Sequence, residues 1–148
     1  MIKAGFSIIE ITPPSGLYMA GYAARNSPAN GKKDSLTVRA IVVEKTALIV
    51  ADVIGIDAEM SAKVRKKSIL PDQAITITAT HTHGGPISMK DRLNSKVNFK
   101  FYNVLEKALT DSIKIAYENR TYVKLYGGVG IEPGVAKNRR KTKGLVDK

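Results

Sequence analysis

The sequence has no cysteine and no tryptophan, and only two of its 148 residues are histidine. Without cysteine there can be no disulfides and no thiolate metal sites, so any metal must be held by histidine, carboxylate, tyrosine or water. Without tryptophan, and with 6% aromatic residues overall, no stacking platform for single-stranded nucleic acid is evident. No apolar run approaches the roughly 20 residues of a membrane span. The opening Met1-Ile2-Lys3-Ala4-Gly5-Phe6 lacks the long apolar core of a secretory signal. Together these absences predict a cytoplasmic protein. The sequence also lacks a Gly-x-Ser-x-Gly elbow, a phosphate-binding loop and a His-Glu-x-x-His pair, which removes the common signatures of serine hydrolases, nucleotide hydrolases and helical zinc peptidases.

Acidic residues are scarce, with 13 against 24 lysines and arginines, for a net charge of +11. Two clusters stand out, Lys63-Val64-Arg65-Lys66-Lys67 and Lys137-Asn138-Arg139-Arg140-Lys141-Thr142-Lys143. A basic surface can bind nucleic acid or acidic lipid headgroups. It can equally be a lysine-rich solvated surface that keeps the chain soluble. Neither cluster is interleaved with aromatics, which favours the second reading and makes a nucleic-acid-binding module the lesser alternative. At 43% hydrophobic and 25% charged residues, the chain has the composition and length of one ordinary globular domain with a substantial core.

Residues 4–12 alternate as a strand, and Pro13-Pro14 ends it. Residues 13–35 form a long connection rich in Pro, Gly, Ser and Asn, and connections of that length are often functional or disordered. Within it, Met19-Ala20-Gly21-Tyr22 is apolar for a purely solvated loop. Leu36 to Val43 and Ala47 to Val53 read as a β-hairpin about Glu44-Lys45-Thr46. The uninterrupted apolar run of the second strand predicts a central strand covered on both faces, with Asp52 at its carboxyl end. Asp57 can cap a helix over 58–69, with Met60 and Val64 inward, that Pro71 stops. Residues 73–79 form a strand, and a loop over 80–96 follows. Val97, Phe101, Val104, Leu105, Ala108, Ile113, Ala116 and Tyr117 then mark the inner face of a second helix. Residues 121–131 read as a further strand, with Gly127, Gly128 and Gly130 marking a bend or bulge. The order is strand, hairpin, helix, strand, helix, strand. It predicts an α/β fold, a mixed β-sheet with helices packed on it. The folded domain is expected over 1–131, followed by a basic tail over 132–148, disordered or truncated.

In such sheets ligands gather at the carboxyl ends of strands. There the sequence places Thr80-His81-Thr82-His83-Gly84-Gly85-Pro86, which holds both histidines. In a strand, residues i and i+2 share a face, so the spacing predicts both imidazoles side by side. Imidazole is a common metal ligand and a neutral-pH acid or base. Glycine at 84 and 85 lets a ligand approach the backbone. Spacing alone also allows two histidines hydrogen-bonded in a turn. Asp52 is the nearest candidate for a third ligand by topology, and equally a candidate hydrogen-bond anchor for the loop after its strand.

Several landmarks lie in one order: Ile11-Thr12-Pro13-Pro14-Ser15-Gly16 with Met19-Ala20-Gly21-Tyr22; the hairpin ending in Asp52; Thr80 to Pro86; and Asn138-Arg139-Arg140 followed by Gly144-Leu145-Val146-Asp147. In this order they resemble the N-terminal part of the neutral/alkaline, non-lysosomal ceramidase family, where serine is common at the position of Gly84. The resemblance spans nearly the whole chain. It implies a zinc-dependent hydrolase that cleaves an amide to release a fatty acid from sphingosine. It also implies His81 as the first zinc ligand, and His83 as a histidine near the metal that contacts substrate or the developing oxyanion. Arg139 is implied as the active-site arginine of the Asn-Arg segment. A zinc ion would activate water and polarise the carbonyl, and His83 and Arg139 would stabilise the tetrahedral intermediate. The family's other ligands, a second His, a Glu and a Tyr, lie downstream and have no counterpart here. The expectation is therefore a ceramidase-like amide (N-acyl) hydrolase scaffold with an incomplete metal site at His81 and His83, taking an N-acyl or lipid-like small molecule. The alternative is a truncated or degenerate, non-catalytic homologue that persists as a homo-oligomer.

Overall fold

The structure is a computed structural model of the chain and describes residues 1–90 and 97–132. Strand β1 (Ile2–Glu10) is followed by the hairpin β2 (Thr37–Val43) and β3 (Thr46–Ala51), then helix α1 (Ala58–Lys67). A 3-10 turn (Asp72–Ala74) leads into β4 (Ile75–Ala79), helix α2 (Phe99–Glu118) and the short β5 (Thr121–Val123). The five strands form one mixed sheet in the order β4-β3-β2-β1-β5. Every neighbouring pair is antiparallel except β3 and β4, which run parallel. This is the α/β architecture expected of the sequence, in a single compact domain.

Alternation of side chains builds the core on one face of the sheet. Val38, Ala40 and Val42 of β2 and Ala47, Ile49 and Ala51 of β3 all point to that face and are buried. Both helices cover it. Helix α2 lays Phe101, Leu105, Ala108, Leu109, Ile113 and Ala116 on the sheet, and α1 adds Met60 and Val64. The two approach closely where α2 crosses β1: a Cβ on Gly5 would sit 2.2 Å from the carbonyl oxygen of Ala116. Both helices start as side-chain caps require. Asp57 accepts from the Met60 amide, and Asn98 accepts from the Phe101 amide.

The structure corrects four expectations. First, β3 is not covered on both faces. It lies second from the sheet edge, and Leu48 on its outer side is 44% exposed, because both helices pack on the opposite side. Second, α1 ends at Lys67, where Ser68 turns extended and its amide closes onto the Arg65 carbonyl. Pro71 instead caps the following 3-10 turn. Third, Val104 is exposed and Tyr102 is buried, because the inward face of α2 runs through Phe101, Tyr102, Leu105, Leu109 and Ile113 and leaves Val104 beyond its margin. Fourth, the last strand stops at Val123 rather than continuing to 131. It runs antiparallel to β1, and the pairing ends at Ile2↔Val123, where β1 itself begins. Residues 133–148 lie outside the described residues, and with them most of the expected tail.

Candidate functional site at the sheet's carboxyl rim

Because β3 and β4 are parallel and in register from Ala47↔Ile75 to Ala51↔Ala79, both end at the same level. The Thr80 amide adds one more bond, donating to the Ala51 carbonyl at 3.0 Å. The histidine loop then leaves the sheet. The expectation of two imidazoles on one strand face is corrected here: the strand ends at Ala79, and His81 turns to φ +58°. That left-handed conformation is unfavourable for a residue with a Cβ and persists only where surrounding contacts hold it. The contact is a hydrogen bond at 2.7 Å between Nδ1 of His81 and the carbonyl oxygen of Ile54. The rings still end up as neighbours, with centroids 5.3 Å apart and planes at 62°.

That bond has a chemical consequence. A carbonyl can only accept, so Nδ1 carries a proton, and in the neutral imidazole Nε2 then keeps its lone pair. A backbone carbonyl fixing one ring nitrogen while the other stays free is how metal-binding and basic imidazoles are oriented. His81 as a residue is exposed. His83 differs. Its ring is half-buried and its Nδ1 is buried with no hydrogen-bond partner among the described residues.

His83 is held by the long connection over 13–35, through residues the sequence had not assigned to the site. The edge of Tyr22 meets the His83 ring at 4.8 Å between centroids and 80° between planes. Gly21 sits at φ +102°, and a Cβ there would fall 2.3 Å from Cγ of His83. Only glycine fits that position. Arg25 donates from Nη1 to the His83 carbonyl at 2.9 Å and to the Ala20 carbonyl at 3.3 Å. Its guanidinium lies 5.0 Å from the Tyr22 ring centre. The Ala20 amide donates to the Gly85 carbonyl at 3.0 Å, and Met19 bridges to Pro86. The apolar composition of Met19 to Tyr22 was the one available signal of this packing.

The support beneath His81 is equally specific. Ser88 donates to the Gly55 carbonyl at 2.7 Å. Asp57 accepts from the Lys90 amide at 3.0 Å and from the Tyr102 hydroxyl, at 3.0 and 3.1 Å to its two oxygens. Burial, and then the bond to Asp57, push the Tyr102 phenol well above its ordinary range. It therefore stays protonated and donating. These contacts pin residues 54–57, whose Ile54 carbonyl orients His81.

Asp52 does not join the histidines in a metal-binding cluster. Asp52 accepts from the Thr37 amide at 3.0 Å, the Thr37 hydroxyl at 2.7 Å and Arg39 at 2.7 Å. Both carboxylate oxygens are thereby tied to β2, so it is an anchor rather than a third ligand. Arg139 lies outside the described residues. No cluster of three or more His, Cys, Asp or Glu able to hold a metal occurs among the described residues. A catalytic zinc needs three protein ligands. His81 offers one oriented donor nitrogen, so the described residues fit one corner of such a site and do not complete it. The basic cluster on α1 is largely engaged. Lys63 pairs with Glu59 and Lys67 with Glu106, while Arg65 donates to the carbonyls of Asp72 and Ile75.

No established protein-family profile matches the sequence, and no curated protein aligns with it significantly. Solved structures do match in shape. The neutral ceramidase from Pseudomonas aeruginosa superposes with a TM-score of 0.71 at 20% identity, over 80% of this chain and 22% of that one. A ceramidase complexed with C2 superposes at 0.70 and 22% identity, over 80% of this chain and 21% of that one. The fold is ceramidase-like. The chain spans about a fifth of the length of these ceramidases. No helix among the described residues is long and apolar enough to cross a membrane.

Proposed function

We propose that this chain is a ceramidase-like scaffold for zinc-dependent hydrolysis of an N-acyl amide, with His81 as a metal ligand and His83 beside the reacting carbonyl. The observation that carries the reading is the Nδ1 bond of His81 to the Ile54 carbonyl, which leaves Nε2 free at the carboxyl rim of the sheet. The half-buried His83 ring beside it supports the same reading. So does the ceramidase-like fold. In this reading Arg139 is the second group, with His83, that faces the substrate's oxygen. The substrate class is an N-acyl or lipid-like small molecule.

A second reading rests on a specific observation: the described residues offer no third metal ligand. In it the chain is a non-catalytic relative that keeps the loop geometry without the reaction. Zinc analysis of the purified chain separates the two, read together with release of fatty acid from a fluorogenic N-acyl substrate. Zinc that disappears in His81→Ala, together with hydrolysis lost in the same variant, supports the first. Zinc-free protein that hydrolyses nothing supports the second.

A further inference from the structure

Part of the long connection after β1 is closed into a lobe. The Gly16 amide donates to the Ala29 carbonyl at 2.8 Å, and the Ala29 amide donates to the Leu17 carbonyl at 2.9 Å. Residues 17–29 therefore leave and return at one neck, the form of an Ω-loop. At the neck, Leu17 packs against the main core. Beyond it the lobe has little to bury. Ala20 is buried, but most residues from Tyr22 to Pro28 are exposed. Where the lobe sits is therefore set by a few specific contacts more than by packing.

Those contacts fall on the histidine loop. The Ala20 amide reaches the Gly85 carbonyl, and Met19 bridges to Pro86. Arg25 crosses over as a side chain. A turn brings it back: its amide donates to the Tyr22 carbonyl at 3.1 Å. Its guanidinium then lies 5.0 Å from the Tyr22 ring centre. A single nitrogen, Nη1, donates both to the lobe's own Ala20 carbonyl and to the His83 carbonyl. The Tyr22 ring in turn meets the His83 ring edge-on. His83 is thus gripped twice, at its backbone by Arg25 and at its ring by Tyr22. Arg25 serves both grips, because the same guanidinium holds Tyr22 in place.

We propose that Arg25 is a positioning residue for His83. It docks the 17–29 lobe onto the histidine loop and so fixes where the His83 imidazole stands. This rests on the reading of His83 as the group beside the reacting carbonyl. Arg25 touches neither substrate nor metal; it acts through the His83 backbone and the Tyr22 ring. Misplacing a reacting group by about 1 Å can cost on the order of 100-fold in rate, so a residue that only positions can still matter to turnover.

The test uses the full chain. Its two histidines give two sets of ring signals, told apart with His81→Ala. Arg25→Met keeps an aliphatic stem and removes the donors. It should shift or broaden the His83 ring signals with an unchanged circular dichroism spectrum. With zinc and an N-acyl substrate, it should lower kcat about 10–100-fold while KM changes less than about twofold. Arg25→Lys restores a donor nitrogen and should return the His83 signals toward wild type and recover most of kcat. Lys33→Met, which removes a cation from the same connection outside the lobe, should alter neither. Unmoved His83 signals in Arg25→Met overturn the proposal, and so does an Arg25→Lys chain as displaced as Arg25→Met. A raised KM with kcat intact overturns it too, because Arg25 would then touch the substrate. A wild-type chain that hydrolyses nothing defeats the reading of the site instead, and the His83 spectrum still decides on Arg25.

Discussion

The helix-covered layer and the carboxyl rim are built on the same strands and held together by different physics. In the layer, strand alternation and an amphipathic helix bury Val38, Ile49, Leu105, Leu109 and Ile113 against one another. Any apolar residue of suitable size would serve there. At the rim, single hydrogen bonds to backbone carbonyls do the holding: His81 to Ile54, Arg25 to His83 and Ser88 to Gly55. Each depends on one side chain of one chemistry. The layer therefore sets stability, and the rim sets where two imidazoles point. Substitutions should separate along that line.

The largest expected effect lies in the layer. Leu105→Ala should cost about 2–5 kcal/mol by denaturant unfolding, the usual cost of a fully buried leucine. Val104→Ala, one residue earlier but exposed, should cost under about 1 kcal/mol. Equal costs would show that the stripe of α2 is misplaced. Tyr102→Phe tests the link between the two regions. It removes the hydroxyl that donates to Asp57 and should cost about 1–3 kcal/mol. It should also broaden or shift the His81 ring resonances, because the support of the Ile54 carbonyl runs through Asp57. Gly21→Ala should cost about 1–2 kcal/mol for its left-handed backbone alone. Its signature is selective: the His83 ring signals should move while those of His81 stay.

The smallest effect is in the pH dependence. Hydrogen bonds from Lys63 and then Lys90 hold the Glu59 carboxyl down at about 2, against an ordinary 4.5. A depressed acid stabilises the fold fully above its unfolded pKa and loses that contribution as pH falls through the folded one. The wild-type chain should therefore lose slightly more stability than Glu59→Gln between about pH 4.5 and 2, measured by thermal melts. Glu59 is exposed, so the difference should be slight and should shrink in salt.

Most of the layer was legible in the sequence. Period-two alternation marked β1, β-rich runs marked the hairpin and β4, and the three-and-four spacing marked α2, because strands and helices that pack on a core carry such patterns. Asp57 was legible as a cap because its role is local. The rim was legible in place but not in geometry. The spacing of His81 and His83 assumed a strand that would continue, whereas the Ile54 carbonyl, 27 residues away, turns His81 into a left-handed bend. Nor could the sequence show that Gly21, Tyr22 and Arg25 would fold over His83, since that contact joins a long connection to a distant loop. The apolar run of β3 misled for a related reason: sequence shows that a strand is apolar, not which of its faces a helix reaches.

The central claim is that His81 is fixed as its Nδ1-protonated tautomer with Nε2 offered outward. A long-range proton–nitrogen spectrum of the two imidazoles, recorded above the ordinary histidine pKa of about 6.5 and repeated with added zinc, tests it. The expected result is a protonated Nδ1 on His81, whose Nε2 signal shifts on adding zinc. An Nε2-protonated His81, or a His81 indifferent to zinc, would contradict it.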